Sequence, residues 1–576
     1  MELEGNEKVG SDVHQPERHE FYNTIPDSVL LGIFAYLDAR SLLAASMTCQ
    51  KWCRVGQDEL LWRDLLRADF HVPFGITPPE SWRLEYRRLH YCVPVVLTED
   101  LQEHSHEVLH VTFSHDGRFF VTCSMDNFVH VWESGFPSYM KYYQNMQEFR
   151  WIFPQYSQFN EDSTLLLVSG VICEREAVGE IVVFSIEESG LNFRCRIESR
   201  PYDLFGAWYH SEYFISGGVS IIGTAIVSKL SLVKASQETE SEHQAVMNSM
   251  LRFYTRLSCA RNILVADCHE AKNTDDPACS KSGFRPSHWV NPMCDVPTVM
   301  WNDGPYDAKE NEDSRCLKLL YPWDKYLIFT SGGRANVPHV VNIKRVPPLA
   351  FMHYFNAGPS LAERVARVRS REEDDVEFPE NQLPALLSDE DILAKFDLPD
   401  SSFDLGGYIV GMAISPDHRY LYVNVRPWPF GAIVDDPGEP PPIAEQIEVR
   451  IIDLKTLEVL GPVLASHKAY SSSDRCCYVF LDACDNYVAR QVWRGDGSEE
   501  KYAYVWDRRW MILLAKLQHS SSVNAVAFNP VDSEMLVTVS DDKSVKVWRS
   551  RRRCAALNVS VAERPVGIEL RANNVK

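Results

Sequence analysis

The sequence predicts a small all-α unit followed by an all-β propeller of about seven blades with long acidic loop insertions. Three observations carry this. Residues 25–52, "IPDSVLLGIFAYLDARSLLAASMTCQKW", space their apolar side chains at helical intervals. Almost everything after residue 92 reads as strand and turn. Two distant segments, 103–133 and 518–550, share one strand–turn–strand pattern, including the spacing of their polar residues. The implied organisation is a disordered N-terminus (1–20), a helical unit (21–70), a helical linker (71–92) and a propeller (93–560). Insertions are expected near 233–318 and 356–402, and a tail over 561–576.

Pro26 suits the first turn of a helix, where its missing N–H costs nothing. Val29, Leu30, Ile33, Phe34 and Leu37 follow as one apolar stripe. Ser41 is a natural N-cap for a second helix, along which Leu42, Ala45, Cys49 and Trp52 recur at steps of three and four. Asp58 caps a third piece, "ELLWRDLLRADF", with Leu61, Trp62, Leu65 and Leu66 as its stripe. Helices this short bury little among themselves. The surplus stripe either packs on the rest of the chain or docks a partner.

In the β body each of the two similar segments has a His, a first strand opening with Val, and a second strand ending Ser-x-Asp. A Trp closes the third strand six residues after the Asp. The two sets are His104, Ser124, Asp126, Trp132 and His519, Ser540, Asp542, Trp548. Such groups link the loop before a blade to the turn within it by side-chain hydrogen bonds, so their role is to hold the blade. Trp506 in "YAYVWDRR" stands one blade period of ~40–45 residues before Trp548. Third strands are expected at 181–187 and 448–456, a first hairpin at 411–425, and further strands at 202–218 and 325–333. Seven blades fit, with eight left open, and "VPVVLTE" (93–99) can close the ring against the last blade. Seven blades need only ~300 residues. The surplus falls in two polar, acidic stretches containing "SQETESEHQ" and "REEDDVEFPENQ", expected as long loops.

Composition narrows the function. A formal charge of −22 argues against a nucleic-acid surface. The 15 cysteines show no Cys-x-x-Cys spacing and no completed metal set, so buried thiols in a reducing compartment account for them. The start, "MELEGNEKVG", is not a signal peptide, and no apolar run approaches the ~18 residues of a membrane span. No nucleophile elbow, His-Glu-x-x-His or P-loop is present. Three classes remain: a binding receptor, a scaffold, and an enzyme whose His and carboxylates converge in the channel. The expectation is a non-catalytic protein without cofactor, metal, membrane or nucleic-acid partner, in the cytoplasm or nucleus.

The helical front resembles an F-box in Ile25-Pro26, Ile33, Leu37, Leu42, Leu43, the "MTCQKW" segment ending at Trp52, and "LLW" at 60–62. The family's usual Leu-Pro is Ile-Pro here, and its usual Val-Cys is Thr48-Cys49. The body resembles WD repeats, and the pairing identifies the chain with the F-box and WD-repeat family. That resemblance implies a substrate receptor of an SCF-type cullin–RING ubiquitin ligase, working through a Skp-family adaptor. It also implies an adaptor-binding set of Ile25, Pro26, Leu30, Ile33, Leu37, Leu42, Leu43, Cys49, Trp52, Leu61 and Trp62. Centriole duplication control, a centrosomal location and cullin-4 ligases are further implications of the resemblance. Trp506, Asp507 and Arg509 fit the Trp-Asp-x-Arg pattern that marks docking to the cullin-4 adaptor in other propellers, although blade geometry already explains Trp506. In related receptors two positions per blade face the upper surface, which here are Leu109, Met125, Asn524 and Asp541. None is Arg, which disfavours phosphopeptide reading. Leu109 and Met125 are expected as exposed apolar side chains.

Overall fold

The computed structural model describes residues 25–73, 75, 78, 80–173, 177–200, 202, 204–222, 225–235, 247–255, 260–268, 324–331, 339–346, 396–428, 446–468, 480–491, 501–561 and 568–569. The chain forms two compact units, one running to Val93 and the other from Pro94 to Glu569.

The first unit is helical, with α1 (Asp27–Phe34), α2 (Ala39–Ser46), α3 (Gln50–Gly56), α4 (Glu59–Phe70) and α5 (Trp82–Tyr91). Short polar side chains start most of these helices by accepting an orphan N–H. Asp58 takes Leu60 N at 2.9 Å and Ser81 takes Leu84 N at 3.0 Å. Two expectations are corrected. The cap of α2 is Asp38, which accepts from Ser41 N at 2.8 Å, so Ser41 lies inside the helix. Nor does that helix run through to Trp52. The hydroxyls of Ser46 and Thr48 bond back to Leu42 O and Ala45 O, α2 ends, and Cys49 becomes the cap of α3.

Leu30, Phe34, Leu42, Leu61, Trp62, Leu66 and Phe70 form the buried interior. Phe34 meets Trp52 edge-on at 5.3 Å. Tyr86 of α5 meets Trp62 and Phe70 at 5.4 and 5.6 Å, and Leu89 is buried with it. The segment expected as a linker therefore ends in a helix that belongs to this core.

Among the described residues the strands of the second unit form seven sheets. Blade 1 has the strands Val108–Phe113, Phe119–Ser124, Phe128–Glu133 and Tyr139–Asn145. Blade 2 runs from Trp151 to Ser199, blade 3 from Ala207 to Thr255, blade 4 from Ala260 to Asp404 and blade 5 from Gly407 to Lys468. Blade 6 spans Leu481–Gln518 and takes Ile568–Glu569 as a fifth strand. Blade 7 combines Val523–Phe528, Met535–Ser540 and Val545–Ser550 with β1 (Pro94–Leu101) from the other end of the propeller. The seven-bladed count resolves the alternative of eight.

Three boundaries are corrected. Met247–Thr255 closes blade 3 and Ala260–Asp267 opens blade 4, both inside the stretch expected as an insertion. Ser401–Asp404, overlapping the end of the second expected insertion, is the outer strand of blade 4. Ile568–Glu569, expected as tail, pairs with Leu513–Gln518. Residues 1–24, 269–323 and 347–395, which include most of both expected insertions, lie outside the described residues.

The closing strand is held by more than its ladder. Leu97 sits opposite Trp548, and Thr98 Oγ1 donates to Val547 O at 3.0 Å. Arg549, almost fully buried, pairs with Glu99 and donates to Gly135 O at 2.8 Å, while Ser138 N donates to Glu99 at 2.7 Å. One ion pair thus ties together the last blade, the closing strand and blade 1. Removing one partner strands a buried charge. Arg549→Met is expected to lower unfolding free energy by about 3–5 kcal/mol, and the double variant Arg549→Met/Glu99→Met to cost less. Chemical denaturation checks both.

Candidate functional site

Two surfaces are candidates, one on each unit. On the helical unit, α1 is apolar on both sides. Leu30 (1% exposed) and Phe34 point into the core, while Val29 (49%) and Ile33 (50%) face solvent. Tyr36, Leu43 and Met47 are exposed with them. This divides the predicted adaptor set. Pro26, Ile33 and Leu43 are exposed; Ile25, Leu37, Cys49 and Trp52 are half-buried; Leu30, Leu42, Leu61 and Trp62 are buried and build the unit rather than touch a partner. Trp62 is fixed further by its Nε1–H, which donates to Gly56 O at 2.8 Å. The sequence missed Val29 and Met47 as surface candidates; their exposure (87% for Met47) is the signal.

On the propeller, the two polar sets come together, but through a residue the sequence reading passed over. In blade 1, Trp132 Nε1 donates to Thr122 Oγ1 at 2.9 Å, Thr122 Oγ1 lies 2.8 Å from His104 Nε2, and His104 Nδ1 lies 2.9 Å from Asp126. Blade 7 repeats this with Trp548, Thr538 at 2.8 and 2.7 Å, His519, and Asp542 at 3.1 Å. Indole only donates and a carboxylate only accepts. The Thr hydroxyl therefore accepts from Trp and donates to His, whose Nδ1–H donates to Asp, and a neutral ring satisfies every group. Ser124 and Ser540 are outside this relay but still serve the blade: each accepts the N–H of the turn Asp, at 3.2 and 3.1 Å, and Ser124 Oγ also donates to Glu107 O at 2.8 Å, tying the loop before the blade to that turn.

Burial pushes the Asp126 carboxyl up, but the His104 ring and the N–H groups of Phe128 and Ser105 overcome this and hold it at about 2. Asp542 is held low in the same way. Blade 6 differs. Trp506 lies opposite Val488 as Trp548 lies opposite Leu536, which places Arg490 where Thr538 stands. The buried guanidinium lies over the Trp506 ring at 5.2 Å and donates to Ile447 O at 3.2 Å.

The F-box-like family model matches residues 22–68, and the "WD domain, G-beta repeat" model matches 95–133 and 512–549. F-box/WD repeat-containing protein 5 of Homo sapiens is 34% identical, covering 94% of this chain and 96% of its own. The Mus musculus protein of the same name is also 34% identical, over 92% and 94%. The chain belongs to the F-box/WD-repeat family. Among solved structures, the β-propeller domain of Myceliophteria thermophila Cps50 (Swd1) is similar at 12% identity with a TM-score of 0.38, covering 79% of this chain and 99% of that one.

In this F-box/WD-repeat protein the predicted upper-face residues are all half-buried, which corrects the expected exposure of Leu109 and Met125. Leu109 and Asn524 occupy matching register shifts after Val108 and Val523. Asn524 Nδ2 donates to Asp541 at 2.6 Å and to Val108 O at 2.8 Å, so this pair also fastens blade 7 to blade 1. By the same register Arg426 takes the place of Met125 in blade 5, where it is buried. Reading only two blades had missed this arginine. In the Trp-Asp-x-Arg segment, Trp506 and Asp507 are buried, and Asp507 accepts from Arg509 N and Trp510 N at 2.9 and 2.8 Å. Of the three predicted cullin-4 residues, only the Arg509 side chain is exposed.

Rings from blades 1 and 2 and from the residues that lead into blades 3 and 6 lie together. His110 lies 4.4 Å from Phe480, which lies 5.8 Å from Phe205, itself stacked on Tyr156 at 5.0 Å. Among the described residues no group of three or more His, Cys, Asp or Glu could hold a metal, and no helix is long and apolar enough to cross a membrane.

Replacing Thr538 by Val leaves Trp548 Nε1 and His519 Nε2 unpaired, at roughly 1–3 kcal/mol for each orphaned group. Thr538→Val is expected to destabilise the propeller more than Ser540→Ala does, as read by urea midpoints. Trp548→Ala should cost about 3–5 kcal/mol as a large-to-small core change. Acid should also weaken the fold. Burial lowers His110 from 6.5 to about 3 and His130 from 6.5 to about 4. Below pH 6.5 the unfolded chain takes up protons that the folded chain refuses, so stability falls as pH drops toward 4. Asp482, pushed up by burial to about 6, works the other way below pH 6 and offsets part of this loss. Urea midpoints at pH 7 and pH 5 test the sign: the pH 5 value is expected to be lower.

Proposed function

We propose that this protein is the substrate-recognition subunit of an SCF-type cullin–RING ubiquitin ligase. The F-box unit binds a Skp-family adaptor, and the propeller holds the protein to be ubiquitinated. The observation that carries this is the two-sided α1: a helix that completes its own core with Leu30 and Phe34 and still offers Val29 and Ile33 to solvent, on the same chain as a closed propeller. Apolar residues repeated outward on a short helix suit a helix-in-groove or helix-on-helix contact.

The chain acts by proximity. Holding a substrate near a charged ubiquitin carrier raises its effective concentration to the order of mM through a suitable linkage, and no residue here forms a covalent intermediate. Burial pushes the thiols of Cys123, Cys195 and Cys484 up to about 12, which makes them packing groups suited to a reducing compartment, the cytoplasm or nucleus. Ubiquitination of a centriole-duplication factor belongs to the same proposal and rests on the family relationship alone. A cullin-4 attachment would have to run through Arg509, the exposed member of its segment.

Changing Val29 and Ile33 together to Glu is expected to weaken adaptor co-purification by roughly 30-fold or more, as for a pair of interface hot spots, with the propeller's melting transition unchanged. Undiminished co-purification would remove the assignment. Leu109→Glu with Met125→Glu tests the other surface. Stability should change by about 1 kcal/mol or less and adaptor binding should persist, while substrate capture falls. Wild-type ubiquitination in that variant would move recognition elsewhere.

A further inference from the structure

The helical unit has a cleft that runs past the end of the F-box-like match. It holds about 270 Å³ and is lined by Leu43 and Met47 of α2, Cys53 of α3, Trp62 of α4 and Arg83 of α5. The last matched residue is 68, so α5 and Arg83 lie outside the motif. Trp62 has spent its Nε1–H on Gly56 O, so the ring offers the cleft carbon alone. Cys53 Sγ accepts from Gln57 Nε2 at 3.1 Å. Among the described residues no carboxylate lines the cleft, and Arg83 is its one charged side chain.

That arginine is exposed, and among the described residues it forms no ion pair. Its neighbours are committed: Arg63 and Arg67 lie at Asp64, and Arg88 lies on Glu85. One turn further along the outward side of α5 stands exposed Arg87, with Leu84 also open to solvent. The site therefore combines an apolar floor, sized for one or two side chains, with an uncompensated guanidinium at its edge. Its complement is an apolar side chain next to a carboxylate, since a guanidinium fork matches a carboxylate in both geometry and charge. On a chain with net charge −22 an acidic segment is repelled on average, so a local cation at the docking point decides where it can land.

We propose that Arg83 extends the adaptor surface beyond the F-box motif. It holds a carboxylate of the Skp-family adaptor while an adjacent apolar side chain of the adaptor fills the cleft over Trp62. This rests on the reading of the helical unit as an adaptor-binding module.

The test titrates purified adaptor against the full chain at low and at moderate salt. Arg83→Glu is expected to weaken binding about tenfold at low salt and to reduce its salt dependence, and Arg83→Lys to retain most of the affinity. Met47→Glu should weaken binding comparably. Both side chains are exposed, so melting curves should match the unmodified protein. Unchanged affinity and salt response in Arg83→Glu, with Val29→Glu/Ile33→Glu still abolishing binding, would overturn this proposal and leave the adaptor reading standing. Intact adaptor binding with loss of self-association would assign the cleft to a second copy of the chain and overturn it as well. Absence of adaptor binding by the unmodified chain would overturn the adaptor reading and this proposal with it.

Discussion

The propeller depends on one pairing, that of Pro94–Leu101 with Val545–Ser550. Every blade packs its two faces on neighbours, so an open ring would leave two apolar blade faces in water. Closure removes both at once. Thr98 and Val547, joined by a hydrogen bond, stand 449 residues apart in sequence. The entropic cost of so long a loop grows only logarithmically, which makes distant closure affordable, but the contact must be specific. The Arg549–Glu99 pair supplies part of that specificity, because its charges are satisfied only when strand, last blade and first blade are in register. Two residues of chain, Cys92 and Val93, separate α5 from this seam.

Legibility in the sequence followed the strength of local repetition. Blades 1 and 7 were readable because each presents His, Asp and Trp at matching spacing, and because a strand before blade 1 was needed to close the ring. The outer strand of blade 3 and the first strand of blade 4 were not. Met247–Thr255 and Ala260–Asp267 carry no Trp-Asp step and lie against a polar stretch, so composition masked their alternation. Thr122 and Thr538 escaped notice for a related reason. A threonine within a strand is what β propensity alone would place there, and only the register shows it between an indole and an imidazole.

On α1 the sequence showed that the helix is apolar but not which residues face inward. Neighbouring positions on a helix lie about 100° apart, so Val29-Leu30 and Ile33-Phe34 form two adjoining stripes that periodicity merges into one. Packing separates them. Leu30 and Phe34 meet the interior, and Trp52 closes on Phe34 from α3. The same separation distinguishes the residues that make the F-box fold from those free to make a contact. Motif resemblance alone treated both as one binding set, and four of its eleven members, Leu30, Leu42, Leu61 and Trp62, are buried in the interior that holds the helices together.

The blade interior shows how one position can serve alternative chemistry. In blades 1 and 7 the site beside the Trp is a small hydroxyl that passes a hydrogen bond to His and on to Asp, so no net charge is buried without a partner. In blade 6 that site is Arg490, whose charge rests on the Trp506 ring and on neutral oxygens of blade 5. Burial lowers its pKa to about 10, which still leaves it protonated near neutral pH. The relay works within its own blade, whereas Arg490 reaches across to blade 5. The Trp at the end of the third strand is therefore a shared platform rather than a fixed partner. Because Trp506 already carries this guanidinium on its face, its ring is committed inside the ring of blades, and a surface role for the Trp-Asp-Arg-Arg segment reduces to the one side chain, Arg509, that the blade does not use.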